Sequence, residues 1–499
     1  MEEATIAELS AGMAGGKLTS KSIVESYLDR IERLDRTGPK INAVIELNPE
    51  ALAIAETLDR ERSAGKVRGP LHGIPLLLKD NIETHDQMHT TAGSIALEGH
   101  RARRDAYLVK RLRAAGAIIL GKANLSEWAN FRGHRSTSGW SSRGGLTRNP
   151  HVLDRTACGS SSGSAAAVAA SLCAAAVGTE TDGSIICPSH VCGVVGLKPT
   201  VGLISRSGII PIAHSQDTAG PIGRTVADVA VLLGAMTGAD RGDPATQSKS
   251  RPKTRDYTRF LVEDGLRGAR LGVARNMLGT DQRVIDIVES CLELMRGLGA
   301  QIVDPADLPN LDKLGKCEIE VLQTEFKADL NKYLASLGRD VPVHSLEDVI
   351  QFNEDHRDEV LKYFGHELMA ESQAKGPLTS KKYRQALDRC RRFTRREGID
   401  ALMTKERLDA VVAASGGPAW LIDLVNGDSP NWDLESTSPA AVAGYPHVTV
   451  PAGFIRGLPI GLSFFARAWQ EPTLLRLAYA FEQAREARKP PRFRRTARL

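Results

Sequence analysis

TACGSSSGSAAAVAA, residues 156–170, sets four serines and two glycines ahead of a run of alanines. Gly159 to Gly163 spells G-x-S-x-G, which as a nucleophile elbow would make Ser161 the attacking serine of an α/β-hydrolase. An elbow needs a buried strand running in and a helix running out. Only the helix is present: the preceding NPHVLDRTA (149–157) is polar and contains Pro150, which a central strand does not tolerate. Serine and glycine before an alanine run also suit a helix N-terminus, where hydroxyls accept from orphan N–H groups. An anion-cradling loop is a third reading, but the lysine of a P-loop is missing.

Working outward, VGTETDGSIICPS (177–189) is a second Ser/Gly turn, in which Thr181, Asp182, Gly183 and Ser184 could aim consecutive N–H groups at one point, as in an oxyanion hole. Upstream, LHGIPLLLKDNIE (71–83) sets the apolar run Ile74 to Leu78 directly before Lys79. A lysine acting as a base near neutral pH needs its pKa lowered from about 10.4 towards 7, a penalty of about 4 to 5 kcal/mol on its charged form that burial can supply. Paired with Asp80 in solvent, Lys79 would instead be an ordinary strand-end lysine. His72, His134, His190 and His214 lie nearest the loops, and none sits in a triad pattern.

Around these stretches, strand and helix signals alternate through residue 234, which predicts an α/β fold with a mixed, twisted sheet covered by helices on both faces. Ser20 precedes an amphipathic stripe of Ile23, Tyr27 and Ile31, and a second helix is expected over 49–63. Residues 240–407 turn charge-rich and helical, with short strand candidates at 269–273 and 301–304. LDAVVAAS (408–415) and HVTVPAGF (447–454) then return to strand character. The expectation is one domain over 1–499: N-terminal helices to 70, a core over 71–239, a peripheral helical segment over 240–407, and a return to the core.

Composition narrows the class. Hydrophobic residues make up 42% and charged residues 25%, which suits a globular enzyme. The formal charge of +5 resides in the last twelve residues, RKPPRFRRTARL, whose six cations leave the body close to neutral. A solvated tail is expected, with no nucleic acid or membrane partner. Seven cysteines show no C-x-x-C and no zinc-ligand spacing, so reduced thiols and no metal are expected. MEEATIAELS does not read as a signal peptide, which points to the cytoplasm.

Taken together, the three stretches resemble the amidase signature family, which uses a lysine, a serine in a cis peptide within G-G-S-S-G-G-S, and a nucleophilic serine in D-T-G-G-S-I. On that pattern Lys79 falls on the lysine, Ser160 on the cis serine and Ser184 on the nucleophile, with the serines 24 residues apart. GKANLSEWA (121–129), RNP (148–150), VVGLKPTVGLIS (194–205), DTAGP (217–221) and YPHVTVPAGF with GLPIGL (445–462) match as well. Cys158 and Ser162 replace loop glycines, Glu180 and Asp182 stand at the Asp and first Gly of the turn, and Ile186 replaces the usual Arg. These departures, with SGWSSRGG (138–145), resemble one bacterial branch, the peptide amidases, which release the C-terminal amide of peptides as ammonia. The resemblance implies acyl transfer without a cofactor, in a monomer or homodimer. Neutral Lys79 deprotonates Ser160, which relays from Ser184, and the N–H groups of Thr181, Asp182, Gly183 and Ser184 form the oxyanion hole. Ser161, Trp140 and Trp420 are expected to touch a small-molecule or peptide amide substrate. The alternatives are the amidase component of a glutamine-dependent amidotransferase and an aryl or aliphatic acylamidase.

Overall fold

The computed structural model describes residues 1–430 and 436–497; Arg498 of the basic tail and the segment 431–435 lie outside the described residues. Eleven strands join in one sheet: β1 (Val44–Leu47), β2 (Pro75–Lys79), β3 (Ile118–Ala123), β6 (Ala175–Glu180), β7 (Val195–Lys198), β8 (Thr218–Gly223), β9 (Arg270–Val273), β10 (Gln301–Val303), β11 (Ala410–Ala414), β12 (His447–Ile455) and β13 (Leu458–Phe465), while β4 (Trp140–Ser141) and β5 (Gly145–Leu146) form a separate hairpin. The order across the large sheet is β1-β3-β2-β6-β8-β7-β12-β13-β11-β9-β10. β2 runs parallel to both β3 and β6, β9 runs parallel to β10 and β11, and the remaining pairs are antiparallel. The sheet is therefore mixed and open, an α/β architecture as expected.

Pro75, Leu76, Leu77, Leu78 and Lys79 are all buried, which an unbroken apolar run on a central parallel strand requires. Helix Ser162–Ala169 packs on β2, β3, β6 and β8, and all eight of its residues are buried. Its small side chains let it sink onto the strands. Gly163 N donates to Asn124 O at 2.9 Å, and a Cβ at Gly163 would strike backbone atoms of Ala43 and Asn124. Helices Val226–Met236 and Glu471–Arg485 form a second packed group over β8 and β12. An N-terminal helix covers Ile6–Ala14, the expected amphipathic helix follows over Ser20–Arg30 with Thr19 as its cap, and a later helix covers Ala51–Ser63.

Three expectations are corrected here. The segment 240–407 is more than a peripheral layer, because β9 and β10 extend the main sheet beyond β11 to its edge. Its long helix, Leu314–Leu334, builds a separate apolar cluster in which Phe326 and Leu330 pack with Phe131 and Ile212. The cysteines are not all reduced: Cys158 and Cys187 form a disulfide, so cysteine usage no longer points to the cytoplasm. The basic tail is docked in part, with Arg488 paired to Glu3 at 2.9 Å and Arg494 O accepting from Leu153 N at 2.7 Å. No described helix is long and apolar enough to cross a membrane.

Candidate active site

Parallel pairing of β2 with β6 brings the C-terminal ends of both strands to the same edge, the usual location of a site in such sheets. Lys79 ends β2 with its side chain fully buried. Its Nζ donates to Thr179 O at 3.1 Å, to Thr179 Oγ1 at 2.8 Å and to Ser160 Oγ at 2.7 Å. Asn81 Nδ2 fixes the same Thr179 hydroxyl at 3.0 Å. Desolvation lowers the Lys79 pKa to about 7, against the opposing pull of Glu180 and Asp217. A neutral amine keeps two N–H bonds for Thr179 and offers its lone pair to Ser160, so these contacts suit the base form as well as the ammonium.

The Gly159–Ser160 peptide is cis, as the resemblance implies. Ser161 N donates to Ser184 O at 3.2 Å and ties this loop to the nucleophile turn. That turn leaves β6 and passes through Gly183 at φ +75°, a left-handed conformation that favours glycine. Glu180 Oε2 accepts from Ile185 N at 2.7 Å and Ile186 N at 3.0 Å, capping the short helix Ile186–Val191. The N–H groups of Asp182, Gly183 and Ser184 have no protein acceptor among the described residues, which leaves them available to a ligand.

Thr181, Asp182, Gly183 and Ser184 all line a cavity of about 390 Å³, together with Trp420, His190, Glu318 and Asp428. Ser184 is 8% exposed on its wall and makes no hydrogen bond to Ser160 Oγ in this conformation. The Cys158–Cys187 bridge lines the same cavity and joins the relay loop to the helix behind Ser184.

Two residues expected to touch substrate lie outside this cavity. Ser161 is buried behind the cavity, where its Oγ donates to Thr179 O at 3.0 Å and accepts from Thr179 N at 3.2 Å. It stands at the N-cap position of the alanine helix without a side-chain cap bond, because β6 claims its hydroxyl. Trp140 is buried outside the cavity, edge-on to Tyr363 and Phe364 and beneath the Arg132 guanidinium at 5.0 Å. Trp420 does reach the cavity, and its Nε1 donates to Asp428 Oδ1 at 3.0 Å.

His190 also lines the cavity. Its Nδ1 accepts from Gly461 N at 2.9 Å, its Nε2 donates to Gly417 O at 2.8 Å, and burial lowers its pKa to about 4. Both nitrogens are engaged and the ring is neutral, so it is no rival to Lys79 as base. Sequence reasoning noted His190 only as a histidine near the loops, singled out Trp420 but not Asp428 from the stretch 416–428, and missed Glu318. None sits in a recognisable motif, and each acquires its place only through tertiary packing.

Known proteins resemble this chain in sequence and in fold. The Amidase family model matches residues 22–475. A probable amidase of Arabidopsis thaliana is 42% identical over 99% of this chain and 92% of its own length. A glutamyl-tRNA(Gln) amidotransferase component of Halorhodospira halophila is 36% identical over 98% of this chain and 99% of its own. Native peptide amidase from Stenotrophomonas maltophilia superposes with a TM-score of 0.94 at 52% identity, covering 99% of both chains. The chain belongs to the amidase family and is an amide-hydrolysing enzyme.

Proposed function

We propose that the protein is a Ser-Ser-Lys amidase that hydrolyses C-terminal peptide amides, or closely related carboxamides, to the acid and ammonia. The observation that carries this reading is the buried Lys79, poised near neutrality by desolvation and bonded to Ser160 beside a cavity walled by Ser184. As substrate enters, rotation of the Ser184 side chain brings its hydroxyl to Ser160 Oγ, tightening a contact that is open in the free enzyme. Ser160 passes its proton to the lone pair of Lys79 and takes the proton of Ser184, whose Oγ attacks the amide carbon. The unpaired N–H groups of the 182–184 turn stabilise the oxyanion, a donor of this kind being worth about 3 kcal/mol. Collapse of the tetrahedral intermediate breaks the C–N bond, and the Lys79 proton returns through Ser160 to the departing nitrogen as ammonia. Water then cleaves the ester by the same relay.

The peptide amidase and the amidotransferase component argue for different substrates, and the cavity supports the first. Glutamine brings an α-carboxylate, and no lysine or arginine lines the cavity among the described residues. A neutral peptide amide needs no such partner. Measuring ammonia released from an N-acyl amino acid amide and from glutamine tests the choice. Release from the amide that disappears in Ser184→Ala is expected, and release confined to glutamine would refute it.

A further inference from the structure

The cavity above Ser184 receives carboxyl groups from three separate elements. Asp182 comes from the nucleophile turn, Glu318 from helix Leu314–Leu334, and Asp428 from the loop after β11. Two buried cations stand behind the cavity and do not line it: Lys79 behind Ser160, and Lys198, which faces Glu180, Glu471 and Asp182 from the sheet.

Neutral donors hold Asp428 and Glu318 in place, while Lys198 stands behind Asp182. Asp428 accepts from Ser138 N at 3.1 Å, Ser138 Oγ at 2.6 Å and Trp420 Nε1 at 3.0 Å. Glu318 Oε1 accepts from Gln216 Nε2 at 2.9 Å, and the same amide donates to Thr181 O at 3.3 Å, which couples Glu318 to the oxyanion turn. Asp182 Oδ1 is buried with no hydrogen-bond partner among the described residues. Desolvation raises Glu318 well above the ordinary carboxylate range with Asp182 beside it, and raises Asp182 and Asp428 as well. No lysine or arginine stands among the described lining residues, so carboxyl groups are the ionisable side chains that three of the cavity walls present to a ligand.

We propose that Asp182, Glu318 and Asp428 form an acidic recognition surface that selects amides carrying a positive charge close to the scissile bond and rejects those carrying a carboxylate there. The inference rests on the amidase reading above and names its substrate class. It also gives the reaction a direction. A neutral carboxamide enters, hydrolysis turns it into a carboxylate, and the same surface repels the product.

The test compares kcat/KM for N-acetyl-argininamide, N-acetyl-leucinamide and the α-amide of N-acetylglutamic acid at low and high salt. The expected order is arginine, leucine, glutamate. Like-charge rejection and steering together should give an arginine-to-glutamate ratio on the order of tenfold to a hundredfold, shrinking as salt is added. Glu318→Gln and Asp428→Asn should each reduce that ratio, which is read within each variant and is independent of its overall yield. A glutamate amide cleaved as fast as the arginine amide, or a wild-type ratio indifferent to salt, overturns the proposal. No ammonia from any of the three would refute the amidase reading itself, which is a different result.

Discussion

Lowering the pH should switch the enzyme off through one group. Lys79 is pulled from 10.5 to about 7 by burial, which places about 5 kcal/mol on its charged form. The protonated lysine has no lone pair for Ser160, so kcat/KM should follow the neutral fraction. It should reach half its plateau near pH 7 and fall about tenfold per unit below that, to roughly one hundredth at pH 5. The assay is ammonia release from N-acetyl-leucinamide, which does not itself titrate in this range. Asp217, raised to about 6 by desolvation, is one of the two acids whose charge holds the lysine pKa up. Asp217→Asn removes that charge, so the acid limb should move to lower pH while its slope is kept. A limb centred near 10, a rate flat from pH 5 to 8, or a limb that Asp217→Asn moves upward would refute the assignment of Lys79 as base.

The same shift predicts a stability effect. Between about 7 and 10.5 the unfolded chain holds a proton on Lys79 that the folded chain has lost, so wild-type stability rises with pH across that window. Lys79→Met should therefore gain on wild type by about 2 kcal/mol more at pH 7 than at pH 9, measured by urea unfolding; an equal difference at both would contradict the buried charge. Ser184→Ala should lower kcat by about 10⁴-fold or more with an unchanged circular dichroism spectrum, and a serine-reactive phosphonate should label wild type only. Gly163→Ala should fail to fold or lose about 3 kcal/mol, because the new methyl meets backbone of Ala43 and Asn124; a normal melting temperature would show that the helix can shift. Reducing Cys158–Cys187, which spans 29 residues, should lower stability by about 3 to 4 kcal/mol on the loop-entropy model. An unchanged melting temperature with dithiothreitol would place the bridge's value elsewhere.

Lys79, Ser160 and Ser184 were named through resemblance to family motifs, which works because each motif is a contiguous stretch: an apolar run into a lysine, and two tight serine turns. Trp140 misled for the opposite reason. An aromatic in a glycine-rich loop looks like a pocket wall, yet Arg132 and Phe364 bury it on the far side. Glu318 was invisible, since on a charged helix it differs from its neighbours only by packing against Asp182. The disulfide likewise depends on a loop and a short helix meeting in space, and its cysteine spacing carries no pattern. β9 and β10 were recognised as strands, but nothing local indicates that a helical segment returns to extend the central sheet.

Lys79 and Thr179 are 100 residues apart, and their meeting depends on the register in which Leu78 pairs with Val177. Side chains alternate along a strand, so a slip of one residue would turn the lysine to the opposite face. Pairing two parallel strands across that separation is a late, entropically demanding event. Hydrolytic activity is thus a clock for sheet assembly. In refolding it should lag behind the recovery of helical signal and appear together with protection of the β2 and β6 amides, reporting the moment at which these two distant strands lock in register.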